Sequence, residues 1–318
     1  MKMKSPLYFK IFYLLFINFY FTNGFVFQNN YLSSINESLF LNNESTKPKL
    51  ISHLSDENVF LNDLDEFQIQ KKIYFCVSTY QPIKDTNVFV LDENGTYLYG
   101  RNFTINVNVI SVVQKNNTIL MSGSNVNFIF VTDFNLNIIY VFTYSDNPNY
   151  FTFVYFDQET DLIYFNVDNA INVLYQNFTR FQSFQPDFCE VYKYLTSFNG
   201  KFYLSCTQTN QPQFDTGSIM IFDKKSLKLI NSFGINLCDR MQISNKTYIE
   251  TRFSVDAEEK VVFACMHDDY SYRDMNLVDS KGNTIGGPIA THNFGGGVLF
   301  DSMGRLIIAN SNGLGFYY

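Results

Sequence analysis

The stretch GGGVLFDSMGRLIIANSNGLGFYY, Gly295 to Tyr318, decides how this chain folds. An apolar run leads to an Asp-x-x-Gly turn. A second apolar run, a polar turn and a third short run follow. The runs are four to seven residues long and bounded by Gly, Asn, Asp and Ser, which reads as three strands joined by tight turns.

The same unit recurs upstream. Lys71–Tyr80 (KKIYFCVSTY) is followed by Asn87–Gly100 (NVFVLDENGTYLYG), and Asn116–Asn125 (NNTILMSGSN) by FIFVTDFNLNIIYVF. Glu159–Asn169, Asn199–Gln208, Glu258–His267 and Met303–Asn312 begin four more copies. Starts recur about every 45 residues, with one longer insertion before the fifth copy. A further strand precedes several copies: Thr104–Val113, Tyr150–Asp157, Arg252–Ala257 and Gly296–Asp301. In the first of these, Ile105, Val107 and Val109 alternate as a half-buried strand requires. Four short strands per repeat and six repeats predict an all-β, six-bladed propeller of four-stranded antiparallel blades.

The last copy supplies only three strands. A ring can complete such a blade with a strand from the other end of the chain, which protects an exposed edge. Lys49–Ser55 (KLISHLS) and Asn58–Asp63 (NVFLND) are the candidates. The alternative is a chain shortened at its end.

The composition agrees. Hydrophobic residues make up 46% and aromatics 18%, with no Trp. Phe and Tyr suit pleated, half-buried surfaces. The formal charge of -7 and the lack of a Lys/Arg stripe argue against phosphate-backbone binding, so no nucleic-acid partner is expected.

The first residues read as a targeting signal. Lys2, Lys4 and Lys10 precede an uncharged apolar run, Ile11–Phe21, and small residues end at Gly24. The run falls short of the roughly 20 residues that span a bilayer. The division expected is therefore 1–24 signal peptide, 25–48 polar arm and 49–318 propeller with its closure strand. An uncleaved signal-anchor is the competing reading. Sequons at Asn36, Asn43, Asn94, Asn102, Asn116, Asn177 and Asn245 agree with export, N-glycosylation and a secreted protein. A monomer is expected.

Five cysteines allow two disulfides and one free thiol. Cys189 with Cys206 and Cys238 with Cys265 are the pairs nearest in the repeats, leaving Cys76. Buried free thiols are the alternative. The spacing fits neither a zinc site nor a redox Cys-x-x-Cys.

With these residues on view, GVLFDSMGRLIIANSNGLGFYY resembles the blade pattern of NHL-type and gluconolactonase/regucalcin-like propellers. There, an apolar strand leads to Asp-x-x-Gly, a second strand, an Asn-rich loop and a third. The resemblance covers about Glu66 to the end. The His signature of kelch and the Trp-Asp of WD repeats are absent. The resemblance implies a single divalent cation, such as calcium, held in the central channel by side chains from different blades. Asp269, Asn310, Asn169 and Asn125 occupy the corresponding loops. Such an ion would polarise a lactone or ester carbonyl. The family's ligand motifs do not match position by position, and a solvated acidic loop is the preferred reading of MHDDYSYRDM.

The loops between the second and third strands share a face with the loops between blades, and that face usually carries ligand contacts. Tyr270, Tyr272, Arg273, Gln211 and Phe214 are the contact candidates, with an extracellular protein or glycan as partner. No Gly-x-Ser-x-Gly elbow, His-Glu-x-x-His, P-loop or dinucleotide fingerprint occurs. The glycine-rich GGPIATHNFGGG reads as a turn before the last inner strand.

Overall fold

The computed structural model describes residues 61–83, 86–123, 126–144, 153–167, 170–186, 191–208, 216–233, 247–267, 272–292, 294–310 and 313–317. Blade one comprises β1 (Leu61–Ile69), β2 (Lys72–Ile83), β3 (Thr86–Asp92) and β4 (Tyr97–Arg101). Blade two comprises β5 (Val107–Val113), β6 (Thr118–Gly123), β7 (Phe128–Asp133) and β8 (Ile138–Thr143). Blade three comprises β9 (Val154–Asp157), β10 (Leu162–Val167), β11 (Ala170–Tyr175) and β12 (Arg180–Phe184). Blade four comprises β13 (Val191–Phe198), β14 (Lys201–Gln208), β15 (Thr216–Asp223) and β16 (Leu229–Phe233). Blade five comprises β17 (Thr247–Val255), β18 (Val261–His267), β19 (Tyr272–Val278) and β20 (Thr284–His292). Blade six comprises β21 (Phe294–Phe300), β22 (Leu306–Asn310) and β23 (Gly313–Tyr317).

Each blade is an antiparallel meander, with four strands in blades one to five and three in blade six among the described residues. The innermost strands β1, β5, β9, β13, β17 and β21 contact one another in that order, and β21 closes back on β1. The expected six-bladed ring is therefore formed.

Burial explains which strands are apolar throughout. The middle strands are covered on both faces by the adjacent blades, as in β6 and β10. The cores lie between blades. Phe75 and Leu91 pack with Ile307, Ala309 and Leu314 across the junction of blades one and six. Val88 and Val90 pack with Ile110, Ile119 and Met121 across blades one and two. Each fully buried Phe contributes about 1.5–3 kcal/mol.

The hairpins between third and fourth strands of blades one, two, three and five share one design. A turn closed by an i+3 hydrogen bond ends on a residue in the left-handed region, beside a bulge. Gly95 and Gly282 fill that position at φ 81 and 85. Leu136 and Phe178 fill it too, at φ 65 and 63. A non-glycine residue there is disfavoured by about 1–2 kcal/mol. Burial offsets it: Leu136 is enclosed in the core of blades one and two, and Phe178 stacks on Phe142 of blade two.

Three expectations are corrected. Leu61–Asp63 begin β1, so Asn58–Asp63 does not supply an outer strand for blade six. The Lys49–Ser55 candidate lies outside the described residues. GGPIATHNFGGG is the end of β20 and the start of β21, not a turn. The alternation around Ile105 breaks as well: β5 starts at Val107, bulges before Val109, and is buried from there to Val113.

Candidate functional site

Antiparallel strands place all connections on two faces. Turns between strands one and two, and three and four, share the first face; the remaining connections share the second. On the first face no connection exceeds five residues. On the second, lengths run from one residue (293) to thirteen (234–246), with 144–153 and 209–215 also long. One face is standardised and the other varies, and variable loops on a fixed frame are where binding residues concentrate.

The first face owes its regularity to aspartates. Asp301 accepts N–H bonds from Met303 (3.0 Å) and Arg305 (2.8 Å), and Asp256 from Glu258 (2.9 Å) and Lys260 (2.7 Å). Asp92 and Asp279 do the same in the outer hairpins. The Asp-x-x-Gly signal in the sequence is this turn chemistry.

The sequence-chosen contact residues belong to the second face. Tyr272 and Arg273 open β19, opposite His292 and Thr291. Tyr270, Gln211 and Phe214 lie outside the described residues. So do three of the four proposed ligands, Asp269, Asn169 and Asn125. Asn310 ends β22, opposite Phe294 and Gly313. The loops are shorter than their polarity implied, because β18 runs to His267 and β14 to Gln208. Ladder hydrogen bonds accept polar residues as readily as apolar ones. Among the described residues, no three His, Cys, Asp or Glu gather into a group that could hold a metal.

Carboxylates missed by the sequence reading tie the inner strands together. Asp63 accepts from the N–H of Ile110 (2.7 Å), and Asp65 from the N–H of Val112 (2.7 Å), joining blade one to blade two. Ser111 accepts from Phe156 N–H (2.8 Å) at the next junction. Lys224 then bridges blades three and four, reaching Asp157 at 2.8 Å and Glu159 at 2.6 Å. Glu259 takes Asn199 (2.8 Å) and Lys201 between blades four and five. Ser254 accepts from Phe300 N–H (3.0 Å) between five and six. Glu66 accepts from Ser302 N–H (2.6 Å) and its hydroxyl where six meets one. Every junction has a polar tie. Several partners are 45 to 47 residues apart, one repeat period, so a polar residue inside an inner strand was the available signal.

The cluster on β1 is electrostatically unusual. Burial pushes Asp65 up to about 7; bonds from Val112 and Glu66 pull it back, and the charges of Asp63 and Glu66 add to the rise. Burial also raises Glu66, against its bonds from Ser302 and Gln68. Their oxygens accept backbone N–H groups, so they act as structural acceptors. Cys76, opposite Asp65 on β2, is free and buried. Burial raises its thiol well above the usual value, and the two aspartates add to this, which keeps it an unreactive thiol. Cys206 is disulfide-bonded. Cys189 and Cys238 lie outside the described residues, as does the Cys265 side chain.

The outer edges differ from the seams. β8 exposes Ile138, Ile139, Tyr140 and Val141 in succession, Ile139 by 60%. Blade four exposes Leu229 and Ile230. Four sequon asparagines are described and all are exposed. Asn94, Asn116 and Asn177 sit in turns of the first face, in blades one, two and three; Asn102 follows β4 on the second. Asn36, Asn43 and Asn245 lie outside the described residues.

No helix among the described residues is long and apolar enough to cross a membrane. No family model matches the chain, and no curated protein matches its sequence. Solved structures do match. A structure of U3-55K is 9% identical with a TM-score of 0.58, over 83% of this chain and 96% of that one. The WD40 repeats of RRP9 are 9% identical at 0.58, over 84% and 98%. Raptor from Chaetomium thermophilum is 12% identical at 0.52, over 82% of this chain and 24% of that one. The propeller fold is thus shared with WD40 structures, although this chain has no Trp, and at these identities the likeness extends to the fold alone.

Proposed function

We propose that the chain is a secreted, N-glycosylated propeller that binds an extracellular protein or glycan through its second face. The observation that carries this reading is the asymmetry of the ring. Aspartate-capped turns fix one face, while connections of very unequal length rise from the other. A rigid frame beneath variable loops suits recognition. The basic-poor first repeats and the N-terminal Lys-plus-apolar start support export rather than nucleic-acid binding. The inner-strand carboxylates are engaged as seam acceptors, which fits a frame better than a hydrolytic centre.

The test is a screen of the purified secreted chain against arrayed extracellular proteins and glycans. The Tyr272→Ala/Arg273→Ala variant serves as control. Binding by the wild type that the variant loses, with an unchanged melting temperature, supports the reading. Calcium-dependent hydrolysis of a lactone or ester by the same preparation overturns it.

A further inference from the structure

The outer edge of blade two presents an uncommon hazard. β8 is an edge strand, hydrogen-bonded only to β7 within its sheet. Its sequence, IIYVFT, carries no charge, and four consecutive apolar residues are exposed. Strands of this kind template pairing with other chains unless charges, proline, bulges or a covering element blunt them. Neither charge nor proline is present in β8, and its one bulge, at Ile139, leaves the run from Tyr140 to Thr143 in regular register.

A sequon lies against this edge. The hairpin of blade three places Phe178 on blade two's outer strand, 5.4 Å from Tyr140 and 5.1 Å from Phe142 between ring centroids. Asn177 is the preceding residue and is exposed. Its Oδ1 accepts the N–H (3.0 Å) and the hydroxyl (2.7 Å) of Thr179, the third sequon residue. Nδ2 has no hydrogen-bond partner among the described residues. A second sequon adjoins it: Asn116 donates to Gln176 at 3.2 Å.

We propose that Asn177 carries an N-linked glycan that covers the apolar outer edge of blade two and prevents β8 from pairing with another chain. This rests on the export reading. The transfer forms a bond from Asn177 Nδ2 to the anomeric carbon of a lipid-diphosphate-linked oligosaccharide. The bond from that carbon to the phosphate oxygen breaks, the lipid diphosphate leaves, and Nδ2 gives up one proton. A glycan is bulky and strongly hydrated, and its root here lies one residue from the ring that packs on β8.

The experiment uses the full chain secreted from a eukaryotic host. Glycopeptide mass spectrometry reads each sequon, and light scattering reads self-association of the wild type, Asn177→Gln and Asn177→Gln/Ile139→Lys. The expected result is an occupied Asn177, a monomeric wild type, association of the single variant at least tenfold stronger, and a return to monomer with Ile139→Lys. Native deglycosylation of folded wild type gives the same readout should the variant fail to fold. Glycans at other sequons with a bare Asn177 overturn this inference and leave the export reading standing. So does a deglycosylated chain that stays monomeric. A secreted chain without any glycan, or no secretion at all, overturns both.

Discussion

Glu66 holds Ser302 across 236 residues of sequence, accepting its backbone N–H at 2.6 Å and its hydroxyl as well. Gln68 completes the contact by donating to the same hydroxyl at 3.0 Å. This is where the last blade meets the first. Glu66→Ala leaves the N–H of Ser302 without its acceptor, which calls for a loss of about 1–3 kcal/mol. Urea unfolding measures it. A variant as stable as wild type would show that this closure contact contributes nothing.

Asp65 gives the ring a pH signature. Its folded-state value is raised from 3.8 to about 7, so the folded chain holds the proton more tightly than the unfolded one. The stability it contributes is fully present below about pH 4 and fades as pH rises through about 7. The lead of wild type over Asp65→Asn should therefore shrink between pH 5 and 8. Denaturation midpoints at intervals across that range test it. A constant gap means that Asp65 stays charged throughout.

Arg305 is a buried cation with several tasks. It pairs with Asp301 at 2.6 Å, donates to the carbonyl of Glu93 in blade one at 3.0 Å, and lies over Phe316 at 5.0 Å. Arg305→Ala strands the buried Asp301, which costs about 3–5 kcal/mol. Arg305→Lys should recover only part, because an ammonium cannot reproduce the planar fork. Thermal melting of both variants orders them; equal melting temperatures for the two would contradict it.

Gly282 is fixed by its surroundings as well as by its φ of 85. A Cβ there would lie 2.5 Å from the Cβ of Phe233 in blade four. Gly282→Ala should destabilise by about 1–2 kcal/mol from the backbone alone, with the clash in addition. Phe233→Ala would keep the Cβ that is struck, whereas Phe233→Gly removes it, so Gly282→Ala should cost less in a Phe233→Gly background than in the wild type. Melting of the four proteins of this cycle tests it; an equal cost in both backgrounds would contradict the clash.

The repeat was legible because apolar runs and Asp, Asn and Gly turns are local signals. β1 was not, since LNDLDEFQI carries three carboxylates where an inner strand is expected to be apolar. Those carboxylates answer N–H groups of neighbouring blades, a relation no local window contains. β13 was missed for a related reason: VYKYLTSF interrupts its apolar positions with Lys193 and Ser197, and Ser197 bonds to Asp157 of blade three at 2.9 Å. The blade pattern resembled NHL-type propellers, while the matching structures include WD40 repeats. Both readings converge on the ring because turn chemistry and strand length define a blade, and neither needs a signature tryptophan. The contact residues were named from loop polarity, and strand ends absorbed part of those loops.

Tension offers another view of the closure between blades one and six. A pull applied between Leu61 and Tyr317 would reach β1 and β21 before any other pair of blades. Resistance would come from contacts loaded side by side: the Glu66–Ser302 hydrogen bonds, the Arg305 bond to Glu93, the shared apolar core, and Leu64 seated on Gly297, where even a methyl group would meet its Cδ2 at 2.4 Å. Hydrogen bonds loaded together yield together, whereas bonds loaded one after another unzip. The seam between blades one and six would therefore give way as one unit rather than strand by strand.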